Sequence, residues 1–414
     1  MLFRIKCFFA ICLSFLWLCC GLWMCSPADP TNNNNNSGNG PPSKPVKVSF
    51  SAVQKVVPNA SFPKEITPQP ANNNLDIIDF EGKLFFVYRT APTHFASEKA
   101  YLYIVSTKDQ KKWDFEAAFH LKNDLREPRF FIWKKTLYLY FAELGSDSIK
   151  FEPGKMWRVH RESQGKWTKP EAVFSNGFIP WRFRTYKGKP LMVGYDGGEN
   201  IYKFNGKPLH VYLMTTEDGK NWKPLNKDRP FVLKGGTSET DIAFDKAGNL
   251  FAVARNEAGD EKAFGSKICK APASDITKWT CKDDFKKYDS PLLIEHGGEV
   301  YLVGRRHMTK DGNYDLRSKN PVLAQRALEY QSAYWQKPKR CSVWFVNRDT
   351  LKVQHLLDLP SKGDTCFPSA LPRGEGKFLL YNYSSDIDGP DVYWQKGQNN
   401  PTFIYSMFLH FGDK

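Results

Sequence analysis

Beyond residue 25 the 414-residue chain has only four cysteines, Cys269, Cys281, Cys341 and Cys366, and no Cys-x-x-Cys pair; its eight histidines are scattered. That spacing excludes a structural zinc site, and no metal is expected. Glycine loops of the kind that cradle phosphate are missing too, so no cofactor is expected. Runs of helix-forming residues are rare, which argues against a helical bundle. A formal net charge of +15 comes without any recognisable nucleic-acid module, so nucleic acid is not an expected partner. The lysines are dispersed through turns, as at Lys108, Lys111 and Lys112. They form either a solvated surface or a field that draws in an anionic ligand.

Aromatic residues and turn formers are abundant: 31 Phe, 18 Tyr and 12 Trp stand beside 29 Gly and 27 Pro. Many short strands joined by turns, an all-β fold with a substantial core, follow from that composition. Residues 1–25 place Arg4 and Lys6 before an apolar run from Cys7 to Met24. They read as a signal peptide, a lipoprotein signal lipidated at Cys19, Cys20 or Cys25, or a membrane anchor. Export, to the outside or to a membrane tether, is expected under each reading. Residues 26–44, with five consecutive asparagines, read as a flexible linker, which leaves 45–414 as the folded domain. In an exported chain Cys269 and Cys281, flanking a segment that reads as two neighbouring strands, form an expected disulfide, and Cys341 with Cys366 a second candidate.

A unit of strand, tight turn and strand recurs six times, at Asp76–Arg89, Arg129–Phe141, Arg184–Tyr195, Asp241–Arg255, Pro291–Arg305 and Ser369–Tyr383. The spacing of roughly 50 to 80 residues suits propeller blades of about four strands. Second strands such as Leu84-Phe-Phe-Val-Tyr88 are apolar on both faces, as a strand sandwiched between blades requires. A six-bladed β-propeller is therefore the expected fold and a plain β-sandwich its alternative.

The seventh residue after each turn residue is Arg89, Ala142, Tyr195, Arg255, Arg305 or Tyr383. In an antiparallel hairpin this register lies beside the start of the first strand, where Asp76, Glu127, Arg129, Arg182, Glu239, Asp241, Asp289 and Asp364 cluster. A propeller would gather these charges at one rim of its channel. Forked arginine donors suit sugar hydroxyls or carboxylates, and paired carboxylates suit glycoside chemistry. The same charges could instead form ion pairs between strands, Arg89 with Asp76 and Arg255 with Glu239 or Asp241. Trp181, Phe367 and Tyr383 are candidate stacking platforms for a sugar face.

The turns Ser106-Thr-Lys-Asp-Gln-Lys-Lys-Trp113 and Thr215-Thr-Glu-Asp-Gly-Lys-Asn-Trp222 resemble the Asp-box of sialidases, a structural turn of that propeller family. The segment from Glu239 to Arg255-Asn256 is similar to the sialidase stretch in which a glutamate begins one strand and Arg-Asn ends its partner. The resemblance implies that Glu239 activates a nucleophile and that Arg255, with Arg305, binds a carboxylate. It departs at three places: no arginine stands near Asn74-Leu-Asp76, Phe367 occupies the place of the nucleophilic tyrosine, and His94-Phe-Ala-Ser-Glu98 offers no matching acid aspartate.

The expected activity is glycoside hydrolysis at the channel mouth, exo-acting on an acidic glycan, with Glu239 and Asp241 beside Arg255, Arg305 and Arg129. Two alternatives stand beside it. One resembles the furanosidase propellers, with Asp76 as base and Arg126-Glu127-Pro128 near their Arg-Asp-Pro motif. The other is a non-catalytic glycan-binding or adhesion propeller. A monomer is expected, with membrane contact only through the N-terminal segment or a lipid. Asp386–Asp391 reads as an acidic loop, with calcium the alternative. Lys310–Gln336 reads as a partly helical flap over a channel mouth or as a surface insertion.

Overall fold

The computed structural model describes residues 42–148, 150–203 and 205–412. Residues 1–41, which hold the expected export segment and most of the expected linker, lie outside the described residues. The remainder is a six-bladed β-propeller. Each blade begins with an inner strand, these being Ala71–Phe80, Leu125–Trp133, Ile179–Tyr186, Thr240–Phe244, Leu292–His296 and Ser369–Pro372 for blades I to VI. Each inner strand pairs antiparallel with a second strand, respectively Lys83–Ala91, Thr136–Glu143, Lys189–Asp196, Leu250–Asn256, Glu299–His307 and Lys377–Ser385. Successive inner strands adjoin from blade VI to I and onward to V.

Alternating burial explains the stacking. In the second strand of blade I, Leu84, Phe86 and Tyr88 join one apolar cluster, where Phe86 meets Tyr381 of blade VI at 5.1 Å between ring centroids. Phe85 and Val87 point the other way, into a cluster with Leu137 and Leu139 of blade II. A strand covered on both faces needs a continuous apolar run, and Leu84–Tyr88 supplies it. The turn before it uses Glu81 at φ 49° and Gly82 at φ 72°. Two left-handed residues give the turn whose twist matches the strands it joins.

Blade VI is completed by residues more than 300 positions away. Its third strand, Thr402–Phe411, pairs with Val48–Phe50 and Gln54–Val57 from the beginning of the domain. Gly412 N donates to Lys47 O at 2.8 Å. Cys269 and Cys281 sit opposite one another on the third and fourth strands of blade IV and are disulfide-bonded. A second disulfide, Cys341 to Cys366, ties the third strand of blade V to the segment leading into blade VI. The insertion in blade V folds into a helix, Leu323–Trp335, with Tyr314, Tyr330 and Tyr334 buried beside Trp394. No helix among the described residues is long and apolar enough to cross a membrane.

Candidate active site where the six blades converge

The inner strands do not run straight to the channel mouth. Pairing in blade I slips between Asn73 and Leu75, and in blade II between Arg126 and Arg129. The extra residues adopt left-handed backbone, Asn74 at φ 43° and Glu127 at φ 52°, and Ser290, just before the inner strand of blade V, has φ 51°. For a residue with a Cβ that conformation costs about 1–3 kcal/mol and persists only where its surroundings enforce it. A bulge re-aims the side chain it carries. All three residues line one cavity of about 120 Å³.

Every blade contributes to that cavity, which places it on the axis of the ring. Asn74 and His94 come from blade I, Arg126, Glu127 and Leu144 from blade II, and Ile179 and Tyr195 from blade III. Glu239 and Arg255 belong to blade IV, Ser290 and Arg305 to blade V, and Phe367, Tyr383 and Trp394 to blade VI. Tyr195, Arg255, Arg305 and Tyr383 are four of the residues sharing the seventh-residue register.

Two carboxyl groups face each other electrostatically across this space. Glu127 Oε2 is enclosed and has no hydrogen-bond partner among the described residues. Burial, then repulsion from Glu239, pushes the Glu127 carboxyl up to about 7. Burial also raises Glu239, but Arg255 opposes it at 2.9 Å and the Ser290 amide donates to Oε2 at 2.6 Å. Arg255 and the Ser290 amide favour the ionised form of Glu239, and Glu127 Oε2 has no such support, so the pair favours keeping its proton on Glu127.

A shared anion bridges Arg255 and Arg305. Asp289 Oδ2 accepts from Arg305 Nη1 at 2.9 Å and from the Tyr334 hydroxyl at 2.6 Å. Its Oδ1 lies 3.6 Å from both Arg255 and Lys287. Although burial works against this anion, Lys287, Arg305 and Arg255 hold its carboxyl well below the usual range. Arg305 is further fixed by the Thr365 and Cys366 carbonyls and lies over the Trp394 ring at 4.8 Å. The blade V helix thus buttresses the site through Tyr334.

Beneath the cavity a second layer joins the blades. Asp76, two residues deeper than Asn74, accepts from Phe130 N at 2.8 Å and Ser369 Oγ at 2.6 Å. Asp241, two deeper than Glu239, accepts from Leu293 N at 2.8 Å and from Arg184. The Arg129 guanidinium lies 4.7 Å from the Trp181 ring centroid and 4.3 Å from that of Phe367. Arg182 donates to Pro291 O. Arg89 pairs with Asp124 at 2.6 Å rather than with Asp76.

Of the residues selected from sequence, the structure brings Glu127, Glu239, Arg255, Arg305, Phe367 and Tyr383 to the cavity wall. It places Asp76, Asp241, Arg89, Arg129, Arg182 and Trp181 in the packing around and beneath it. Asn74, His94, Arg126, Tyr202 and Trp394 line the cavity without having been selected; only the nearness of Asn74 and Arg126 to chosen acids signalled them. Among the described residues no three His, Cys, Asp or Glu side chains are grouped to hold a metal.

No protein-family model and no curated protein sequence matches the chain. Solved structures do. A protein of unknown function from Dyadobacter fermentans superposes with a TM-score of 0.59 at 14% identity, covering 88% of this chain and 99% of that one. Trypanosoma rangeli sialidase gives 0.55 at 11% identity over 87% of this chain. The match spans only 59% of that sialidase. Penicillium chrysogenum α-L-arabinanase, complexed with arabinobiose, gives 0.50 at 13% identity over 88% of this chain and 98% of that one. The shared feature is the propeller fold.

Proposed function

We propose that this protein is a glycoside hydrolase that takes the terminal sugar of a glycan into the cavity on the propeller axis. One observation carries the reading: two buried carboxyl groups in unlike settings face one enclosed space, Glu239 held by Arg255 and the Ser290 amide and Glu127 with an unpartnered Oε2. A carboxyl that keeps its proton to about pH 7 suits protonation of the leaving glycosidic oxygen. An ionised neighbour suits stabilisation of the positive charge that develops on the sugar ring. Asp241 leaves the catalytic set, because its oxygens are bound to Leu293 N and Arg184.

The cavity is small and walled by Tyr195, Phe367, Tyr383 and Trp394, which favours one sugar ring and so exo action. Arg126, Arg255 and Arg305 each already pair with a carboxylate. Asp124 and Asp289, behind the wall, offset two of these arginines and Glu239 the third, so preference for an acidic or neutral sugar rests on shape as much as on field. Likeness in fold to a sialidase crystallised with sialic acid and an arabinanase crystallised with arabinobiose supports testing both sugars. Two disulfides support export.

The test is a panel of chromogenic sialyl, arabinofuranosyl and neutral hexosyl glycosides. Turnover is expected on one class, reduced 10²- to 10⁴-fold in Glu127→Gln and in Glu239→Gln. Glycan binding without turnover on any of them would overturn hydrolysis in favour of a binding propeller.

A further inference from the structure

The loop after the second strand of blade I brings another titratable group to the cavity. His94 Nδ1 lies 2.6 Å from Asp364 Oδ2. That carboxylate is fully buried, and its Oδ1 accepts from the Tyr383 hydroxyl and Trp394 Nε1, each at 2.9 Å. His94 is pinned through its backbone as well: its amide donates to Gln398 O at 3.0 Å, and its carbonyl accepts from Arg126 Nη2. An ionised Asp364 can only accept, so the hydrogen resides on Nδ1 and Nε2 keeps its lone pair. Nε2 bonds to no described residue, and the side chain retains 15% exposure on the wall that also holds Glu127 and Glu239.

Most polar groups around His94 are already committed. Tyr383 and Trp394 are committed to Asp364, Glu239 to Arg255 and the Ser290 amide, and Arg126, Arg255 and Arg305 to carboxylates. The charged groups acting on His94 are Asp364, Arg126 and Arg89. Burial, with the two arginines and against the pull of Asp364, holds the imidazole below its ordinary value, so it is neutral at pH 7.

We propose that His94, oriented by Asp364, is the base that deprotonates the water attacking the anomeric carbon. The proposal rests on the glycosidase reading. In the step, one water O–H bond breaks and its proton passes to His94 Nε2 as the oxygen bonds to the anomeric carbon. The glycosidic C–O bond breaks, and its electron pair leaves on the oxygen that receives the Glu127 proton. Asp364 holds the imidazolium until its proton returns to solvent, while Glu239 stays ionised beside the sugar ring. His94 is then a catalytic residue and Asp364 a positioning residue.

Kinetics on the glycoside class that the panel shows to be turned over test this. His94→Gln is expected to lower kcat at least 10²-fold, with KM within about twofold. It should also abolish the acid limb of the pH profile while preserving the alkaline limb set by Glu127. His94→Ala should regain rate with added imidazole, which a merely structural loss would not do. In ¹⁵N spectra of the unmodified protein, Nδ1 should carry the hydrogen at pH 7, and Asp364→Asn should change that tautomer. An unchanged kcat in His94→Gln with Glu127→Gln inactive would overturn the base and leave the hydrolase reading standing. Hydrogen on Nε2 at pH 7 would overturn the base whatever the turnover. Absence of turnover by the unmodified protein on the whole panel would overturn the hydrolase reading and the base with it.

Discussion

A carboxyl group sunk beside a second carboxylate resists losing its proton, and Glu127 keeps its own to about pH 7. Its folded value lies above the ordinary 4.5, so the folded state binds that proton more tightly than the unfolded chain does. The resulting stabilisation is complete below the ordinary value and is lost as pH rises through about 7. Denaturation midpoints at pH 5 and pH 8 should therefore differ more in the natural protein than in Glu127→Gln, with the natural protein weaker at pH 8. Asp289 is a second residue with a sharp expectation. Replacing it with Asn leaves Arg305, Arg255 and Lys287 short of their shared anion, and urea unfolding should show a loss of about 3–5 kcal/mol. Glu239, Arg255 and Arg305 were legible because hairpin register marks the mouth. Asp76 and Asp241 were not separable from them, since they are the same residue types only two positions deeper. What divides the groups is the bulges at Asn74 and Glu127 and the bonds Asp76 and Asp241 make to the next blade, features that composition does not encode. His94 was invisible as a site residue because its partner, Asp364, is 270 residues away.

At the scale of strands and hairpins, most of the molecule was written in turn residues and double-sided apolar strands. The outer strands were harder to read. That of blade III is split into Trp222–Pro224 and Leu233–Gly235, both pairing with Leu209–Thr216. Short exposed pieces carry little periodic signal. The aspartates one place beyond the expected Asp-box position cap their turns: Asp109 Oδ1 accepts from the Lys111 and Lys112 amides, and Asp218 Oδ1 from those of Lys220 and Asn221. The disulfides act on this scale. Cys341 and Cys366 are 25 residues apart and join two blades. Removing both sulfurs should cost about 3 kcal/mol on the chain-entropy argument. Chemical denaturation of the Cys341→Ser, Cys366→Ser double variant measures it.

On the scale of the whole ring, stability depends on pairings that span nearly the full sequence. Val48–Phe50 and Gln54–Val57 cover the edge of Thr402–Phe411. Ser43 Oγ donates to Glu299 Oε2 at 2.8 Å, and Arg348 Nε donates to the same carboxylate oxygen at 2.8 Å. Deleting residues 42–57 should leave an unpaired apolar edge and promote aggregation, visible in light scattering. This closure was not read from sequence, because nothing local in Val48–Val57 says which distant strand it completes. Because Gly412 and Lys47 are hydrogen-bonded neighbours, the ring's order is cyclic although its chain is linear. A short linker across that junction, with a new break at the exposed turn around Gly165, would give a circular permutant retaining every strand pair. The blades would keep their places while the first and last positions of the polypeptide moved elsewhere on the circle.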